Sequence, residues 1–204
     1  MGGPKALMFV GGRRWIDVQR KRLAGIPIEV TWVVSPEVRD AIRDWSYDPR
    51  PASVVIGDST APMFASLLLG LGAAVAESAG TGHSAQKGGG AFVLPVDVPA
   101  PRALVWEALA QTREVAAPMF NGRRGHPVFL PWGRVGTLLA TGGVEEGGAG
   151  DGEPRLDRLV DKEATVVSVD DRDITINLNR PADVQAWLES RTAPRDRASG
   201  GGAG

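Results

Sequence analysis

Three times between Ile28 and Gln111 an apolar run is followed by a turn and then by a stretch of helical spacing, and this alternation constrains the fold more than any other feature. Ile28 to Val34 (IEVTWVV) is rich in β-branched and aromatic residues and reads as a strand. Ser35-Pro36-Glu37 then supplies an N-cap and a proline at the first helical position for a helix over Val38 to Trp45. Ser53 to Ile56 leads through Gly57-Asp58-Ser59 into an apolar helix over Ala61 to Ala76. Ala91 to Val96 (AFVLPV) is continuously apolar, the pattern of a strand buried on both faces, and a helix over Arg102 to Gln111 follows it. Strand–helix units in series predict an α/β fold of three layers, Rossmann-like, with a mainly parallel sheet and helices on both faces.

The flanking regions are less regular. Trp15 to Leu23 reads as a short helix ended by Gly25 and Pro27. Strands are expected over Val115 to Ala117, Val128 to Leu130, Ala164 to Val169 and Ile174 to Leu178, with helices over Arg134 to Ala140, Arg155 to Val160 and Pro181 to Ser190. Residues 79–90 and 142–152, dominated by glycine and small polar residues, are expected to be flexible insertions, and 192–204 a disordered tail. The 204 residues, 43% of them hydrophobic, suit a single domain over 1–191.

Charge and composition remove several function classes. Lys and Arg number 23 against 24 Asp and Glu, so no strong field draws the chain to nucleic acid, and any phosphate must be held locally. The absence of cysteine excludes disulfides, thiolate zinc sites and a cysteine nucleophile, so a metal here needs oxygen ligands, and it fits a reducing cytoplasm. The longest apolar stretch, Met63 to Ala76, is broken by Ser66, Gly70 and Gly72 and is too short to span a bilayer. The expectation is a cytoplasmic protein without nucleic-acid or membrane partners.

Four places carry chemistry. Met1-Gly2-Gly3-Pro4-Lys5 sets a lysine after two glycines, where the backbone can approach a phosphate and the ammonium can neutralise it; the competing reading is a frayed terminus with a solvated lysine. Asp97 stands at the carboxyl end of the third strand, where open α/β sheets place their ligand crevice and a lone carboxylate can hold Mg²⁺ against phosphates; it could equally serve as N-cap of the next helix. Asn121-Gly122-Arg123-Arg124-Gly125-His126-Pro127-Val128 joins guanidinium groups and an imidazole in one loop suited to an anionic substrate, or is a basic turn with a structural histidine. Ser66, on an otherwise apolar helix, can meet a ligand or bond to its own backbone. The glycines of Gly80 to Gly90 do not form a P-loop, because Lys87 precedes Gly88, Gly89 and Gly90 and no Ser or Thr follows them.

Taken in order, these pieces match one family. MGGPKALMFVGG resembles the second half of the signature L-A-A-G-x-S-x-R-M-G-x-x-K of MobA-like nucleotidyltransferases, LPVDVP their strand-end aspartate motif, NGRRGHPVFL the G-x-x-G-H-P-V loop of the cytidylyltransferase branch, INLNRPADV the D-[IV]-[DN]-T-P-E-D motif, and FASLLLGL the S-L-x-x-G-L segment. The resemblance implies that Gly2, Gly3 and Lys5 contact the nucleotide phosphates, that Asp97 binds Mg²⁺, and that Ser66 meets the nucleoside. It places Gly125 and His126, with Arg123 beside them, in the substrate loop, and Asn177 and Asn179 in a late metal-site motif. It further implies a nucleoside triphosphate substrate, CTP favoured over GTP, and a phosphorylated acceptor such as molybdopterin. Two departures accompany it. The family's first strand and the start of its phosphate loop belong ahead of Met1, and Asn177, Arg180 and Ala182 stand where the family often has Asp, Thr and Glu. The alternative expectation is a non-catalytic binding or accessory protein that keeps the fold.

Overall fold

A computed structural model of the protein describes residues 3–47, 53–80, 89–143 and 155–192. After a single 3-10 turn at Lys5–Leu7, β1 (Phe9–Val10) and β2 (Arg13–Arg14) form a hairpin whose turn residues, Gly11 and Gly12, have φ of 55° and 79°. Two positive φ values in succession match the twist of the flanking strands and favour glycine at both places. Helix α1 (Trp15–Leu23) follows as its pattern predicts.

The next two units are β3 (Thr31–Val34), α2 (Pro36–Ala41), β4 (Ser53–Ile56) and α3 (Met63–Gly80). Ser35 caps α2, its hydroxyl accepting from the Val38 amide at 3.4 Å. Strands β3 and β4 pair in parallel from Thr31↔Ser53 to Val34↔Ile56. Strand β3 is therefore shorter than its apolar run, because Ile28 to Val30 find no partner in the four residues of β4.

A second, mixed sheet holds β5 (Gly90–Val93), β6 (Ala116–Phe120), β7 (Arg123–Arg124), β8 (Val128–Pro131) and β9 (Thr165–Ser168), in the order β5-β8-β6-β7 with β9 parallel to β6. Helix α4 (Ala103–Thr112) lies between β5 and β6 in the chain, α5 (Trp132–Thr141) and α6 (Leu156–Glu163) follow β8, and α7 (Pro181–Thr192) comes last. Strand β5 ends at Val93, two residues before Pro95, which lacks an N–H. All four of its residues are half-buried rather than buried on both faces, since β8 is its one strand partner among the described residues. The strand expected over Ile174 to Leu178 does not form. Arg172–Thr175 is a 3-10 turn, and the backbone after it is used in single contacts, with Ile174 O accepting from His126 N at 2.9 Å and Leu178 N donating to Asp97 O at 2.8 Å. Most of the segments expected to be flexible or disordered, residues 81–88, 144–154 and 193–204, lie outside the described residues.

The two sheets share covering layers rather than hydrogen bonds. Helix α3 packs on β3, β4 and β5. Its Gly70 sits so close to β3 that a Cβ there would lie 2.7 Å from Val33 Cγ2. Trp32, the next residue along, faces the other way and joins Leu23, Ile26, Ala100 and Trp106 in a cluster that also takes in Phe92 of β5. The expected α/β layering is thus present. Among the described residues no strand pairs with the second edge of β3 or of β5. No described helix is long and apolar enough to cross a membrane.

Val34, the last residue of β3, and Val96, just beyond β5, pack in one cluster with Ala6, Leu7, Val38 and Ile42. The carboxyl ends of both strands therefore converge on the 3-10 turn that begins at Lys5.

Candidate functional site

Asp97 sits in an irregular loop, Pro95-Val96-Asp97-Val98-Pro99-Ala100-Pro101, whose three prolines donate no hydrogen bond and leave several carbonyls without a ladder partner. Helix α1 supplies the partners from one buried face: Trp15 Nε1 donates to Val96 O at 2.6 Å, Gln19 Nε2 to Val98 O at 2.5 Å, and Arg22 Nε to Ala100 O at 2.7 Å. The N-cap reading of Asp97 is not borne out. Helix α4 begins at Ala103, and the carboxylate that takes the amide at its start is Asp171, which accepts from Arg102 N at 2.8 Å.

The Asp97 side chain, 17% exposed, instead pairs with Lys5 Nζ at 2.8 Å. The same ammonium donates to Asn179 Oδ1. Residues 92 and 174 positions from Lys5 thus meet on one cation. With Lys5 44% exposed, the pair is screened by solvent and adds little to stability, which leaves the ammonium able to move to another anion. Asn179 is fixed from behind: its amide and that of Arg180 donate to Asp183 Oδ2, at 3.0 and 2.8 Å, in the first turn of α7.

The other expected site residues divide. Asn177 is exposed and stands two residues from Asn179 on the solvent side of a run whose Leu178 is buried in the core. His126 lies within electrostatic reach of Asp97 and bonds the Val93 backbone at the end of β5. Burial holds its imidazole below the ordinary histidine range, an effect that the Asp97 charge and the Val93 bond oppose. Its Nδ1 is buried with no hydrogen-bond partner among the described residues. Gly125 is required by packing, because a Cβ there would lie 2.0 Å from Ile174 O. Ser66 is half-buried on α3 beside Gly57, whose amide donates to Val34 O at 2.8 Å, and so sits by the carboxyl ends of β3 and β4.

Arg123 is exposed on β7, and its neighbour Arg124 turns to α6, pairing with Asp161 at 3.0 Å. Gly3 is exposed with open space where a side chain would go, and Gly2 lies outside the described residues. Sequence reading missed Gln19, 1% exposed, and the carboxylates Asp171 and Asp173, 7% and 3% exposed. Gln19 had a visible signal: it shares a helix face with Trp15 and Leu23 at four-residue spacing, an odd place for an amide.

Among the described residues no group of three His, Cys, Asp or Glu side chains could hold a metal. Asp97 and Asn179 nevertheless already point two oxygens at one cation, the Lys5 ammonium. One carboxylate and one amide fit Mg²⁺, which keeps most of its shell as water and substrate phosphate.

This geometry, a cation between an aspartate and an asparagine at the carboxyl ends of α/β strands, agrees with the sequence comparison: residues 1–166 match the MobA-like NTP transferase domain. The chain belongs to that family. Its class is therefore that of the nucleotidyltransferases. No curated protein matches the chain. Solved structures share the fold. A nucleotidyl transferase from Methanothermobacter is 18% identical, with a TM-score of 0.61 over 91% of this chain and 84% of its own. The 4-diphosphocytidyl-2C-methyl-D-erythritol synthase from Anaerococcus prevotii is 11% identical, with a TM-score of 0.60 over 90% and 93%. A second synthase of that name is 14% identical, with a TM-score of 0.57 over 91% and 93%.

Proposed function

We propose that this MobA-like protein transfers a cytidylyl group from CTP, in preference to a guanylyl group from GTP, to a phosphate monoester on a small acceptor, releasing pyrophosphate with the help of Mg²⁺. The observation that carries the reading is the convergence of Lys5, Asp97 and Asn179 on one cation position. Asp97 and Asn179 would hold the metal, with Asn177 beside them on the same run, and the metal would neutralise phosphate charge. Lys5 is free to leave Asp97 for the β- and γ-phosphates. An acceptor phosphate oxygen then forms a bond to the α-phosphorus as the bond from that phosphorus to the bridging oxygen breaks. That acceptor is already anionic at neutral pH, so no side chain need remove a proton, and the work left to the protein is positioning and charge neutralisation.

Ser66 faces the nucleoside in this reading, and Gly125 and His126 shape the acceptor side. The GHPV loop favours CTP, and two structural neighbours are named for a diphosphocytidyl product. Molybdopterin is the acceptor the family resemblance implies; the synthases' name shows that the same fold serves a methylerythritol acceptor elsewhere. A second reading, a binding or accessory protein, draws support from Asn177, which stands where the family often has Asp and brings no negative charge to a metal.

Calorimetric titration with CTP and GTP, with and without Mg²⁺, tests both. The transferase reading expects Mg²⁺-dependent binding of CTP that Asp97→Ala abolishes. Binding of neither nucleotide would leave the accessory reading.

A further inference from the structure

We infer that Gln19 is a positioning residue for the Asp97 carboxylate, an inference that rests on the reading of Asp97 as a metal ligand. The primary amide is spent entirely on the backbone around that aspartate. Nε2 donates to Val98 O at 2.5 Å and to Val96 O at 3.2 Å, and Oε1 accepts from Ala100 N at 2.9 Å. Two acceptors and one donor within five residues match the two N–H groups and the oxygen of a glutamine, and no other uncharged side chain but the shorter asparagine offers that set.

The loop cannot hold itself in place by a ladder. Pro95, Pro99 and Pro101 donate nothing, and a single turn bond, Val98 N to Pro95 O at 3.1 Å, is internal to it. Val96 and Val98 flank Asp97, so the grip of Gln19 on both carbonyls sets the direction in which the intervening side chain leaves the backbone. Leu178 N, bonding Asp97 O at 2.8 Å, fixes the third carbonyl and ties the loop to the run that carries Asn179. Helix α1 is itself anchored, since Asp17 accepts from Arg14 Nε at 2.5 Å and from Trp45 Nε1 at 2.8 Å. A fixed helix therefore reads three backbone groups and aims one carboxylate at Lys5 and Asn179.

The test measures Mn²⁺ binding by electron paramagnetic resonance in the presence of CTP, with thermal unfolding followed alongside. Gln19→Leu removes all three bonds and should weaken Mn²⁺ binding at least tenfold at a temperature where circular dichroism shows the variant folded. Leu71→Ala, a core truncation in α3, serves as the stability-matched control and should bind Mn²⁺ as the wild type does. Gln19→Glu keeps an acceptor for Ala100 N and can donate to Val98 O only when its carboxyl is protonated. Its affinity relative to wild type should thus recover as pH falls, and this arm decides the matter if Gln19→Leu does not fold. Absence of Mn²⁺ binding by the wild type would overturn the metal-site reading itself. Wild-type binding that Gln19→Leu matches, or a Gln19→Glu ratio that stays flat with pH, would overturn the positioning role alone.

Discussion

His126 shows how one residue can be legible only in part. Its position in the NGRRGHPV loop drew attention, but its burial and its orphaned Nδ1 arise from packing against β5 and the 3-10 turn at Arg172–Thr175, contacts that no local pattern encodes. Burial is the largest influence on the imidazole and lowers its pKa, with the Asp97 charge and the Val93 bond pulling the other way. In the unfolded chain a histidine titrates near 6.5. As pH falls through about 6.5, the unfolded state takes up a proton that the folded state still refuses, so stability declines until the folded imidazole itself becomes charged. Above about 6.5 both states are neutral and the contribution is complete. Urea midpoints should therefore drop between pH 7.5 and pH 5.0 by more in the wild type than in His126→Gln. Equal drops would show that burial does not keep this imidazole neutral.

At the level of elements, α7 is tied to α1 through a buried carboxylate. Asp173 accepts from Arg22 Nη2 at 2.7 Å, Arg191 Nη1 at 2.9 Å and Trp187 Nε1 at 2.9 Å, while both guanidinium groups lie over the Trp187 ring at 5.2 Å. Burial lowers the Arg22 pKa, and the Asp173 charge is the main influence opposing it. Asp173→Ala should cost about 3–5 kcal/mol, as removal of one partner leaves a buried charge uncompensated. Chemical denaturation measures this, and a loss below 1 kcal/mol would mean that solvent already screens the cluster. None of this was visible in DRDITINLNR, where Asp173 merely precedes the strand expected over Ile174 to Leu178. The helices were legible because their caps and spacing are local: α1 appeared at its predicted bounds, and β4 likewise. The strand expected at Ile174 to Leu178 was not, because β-branched composition states only that a segment suits a ladder, and a ladder needs a free neighbour. The hairpin of β1 and β2 went unread for the opposite reason, since two residues on each side are too few to show a period.

The family match ends at residue 166, yet the molecule does not. Trp15, fully buried on α1, packs edge-to-face on Trp187 at 5.3 Å, and Val10, Leu178 and Val184 complete the same cluster. Asn179 reaches Lys5 from this segment, and Leu178 holds the Asp97 carbonyl. Residues 167–192 thus supply one wall of the core and one oxygen of the cation position. Each buried side chain of this kind contributes roughly 1.5–3 kcal/mol, so the cluster as a whole is comparable with the ~5–15 kcal/mol that separates a folded domain from its unfolded chain. A chain ending at residue 166 should therefore lose cooperative thermal unfolding and near-ultraviolet circular dichroism, because Trp15 would open to water and the Asp97 loop would lose its tie to Leu178. Extending it to residue 192 should restore both. A cooperative transition in the shorter chain would mean that the sheets and α1 hold together without α7, and that the last segment serves the cation position alone.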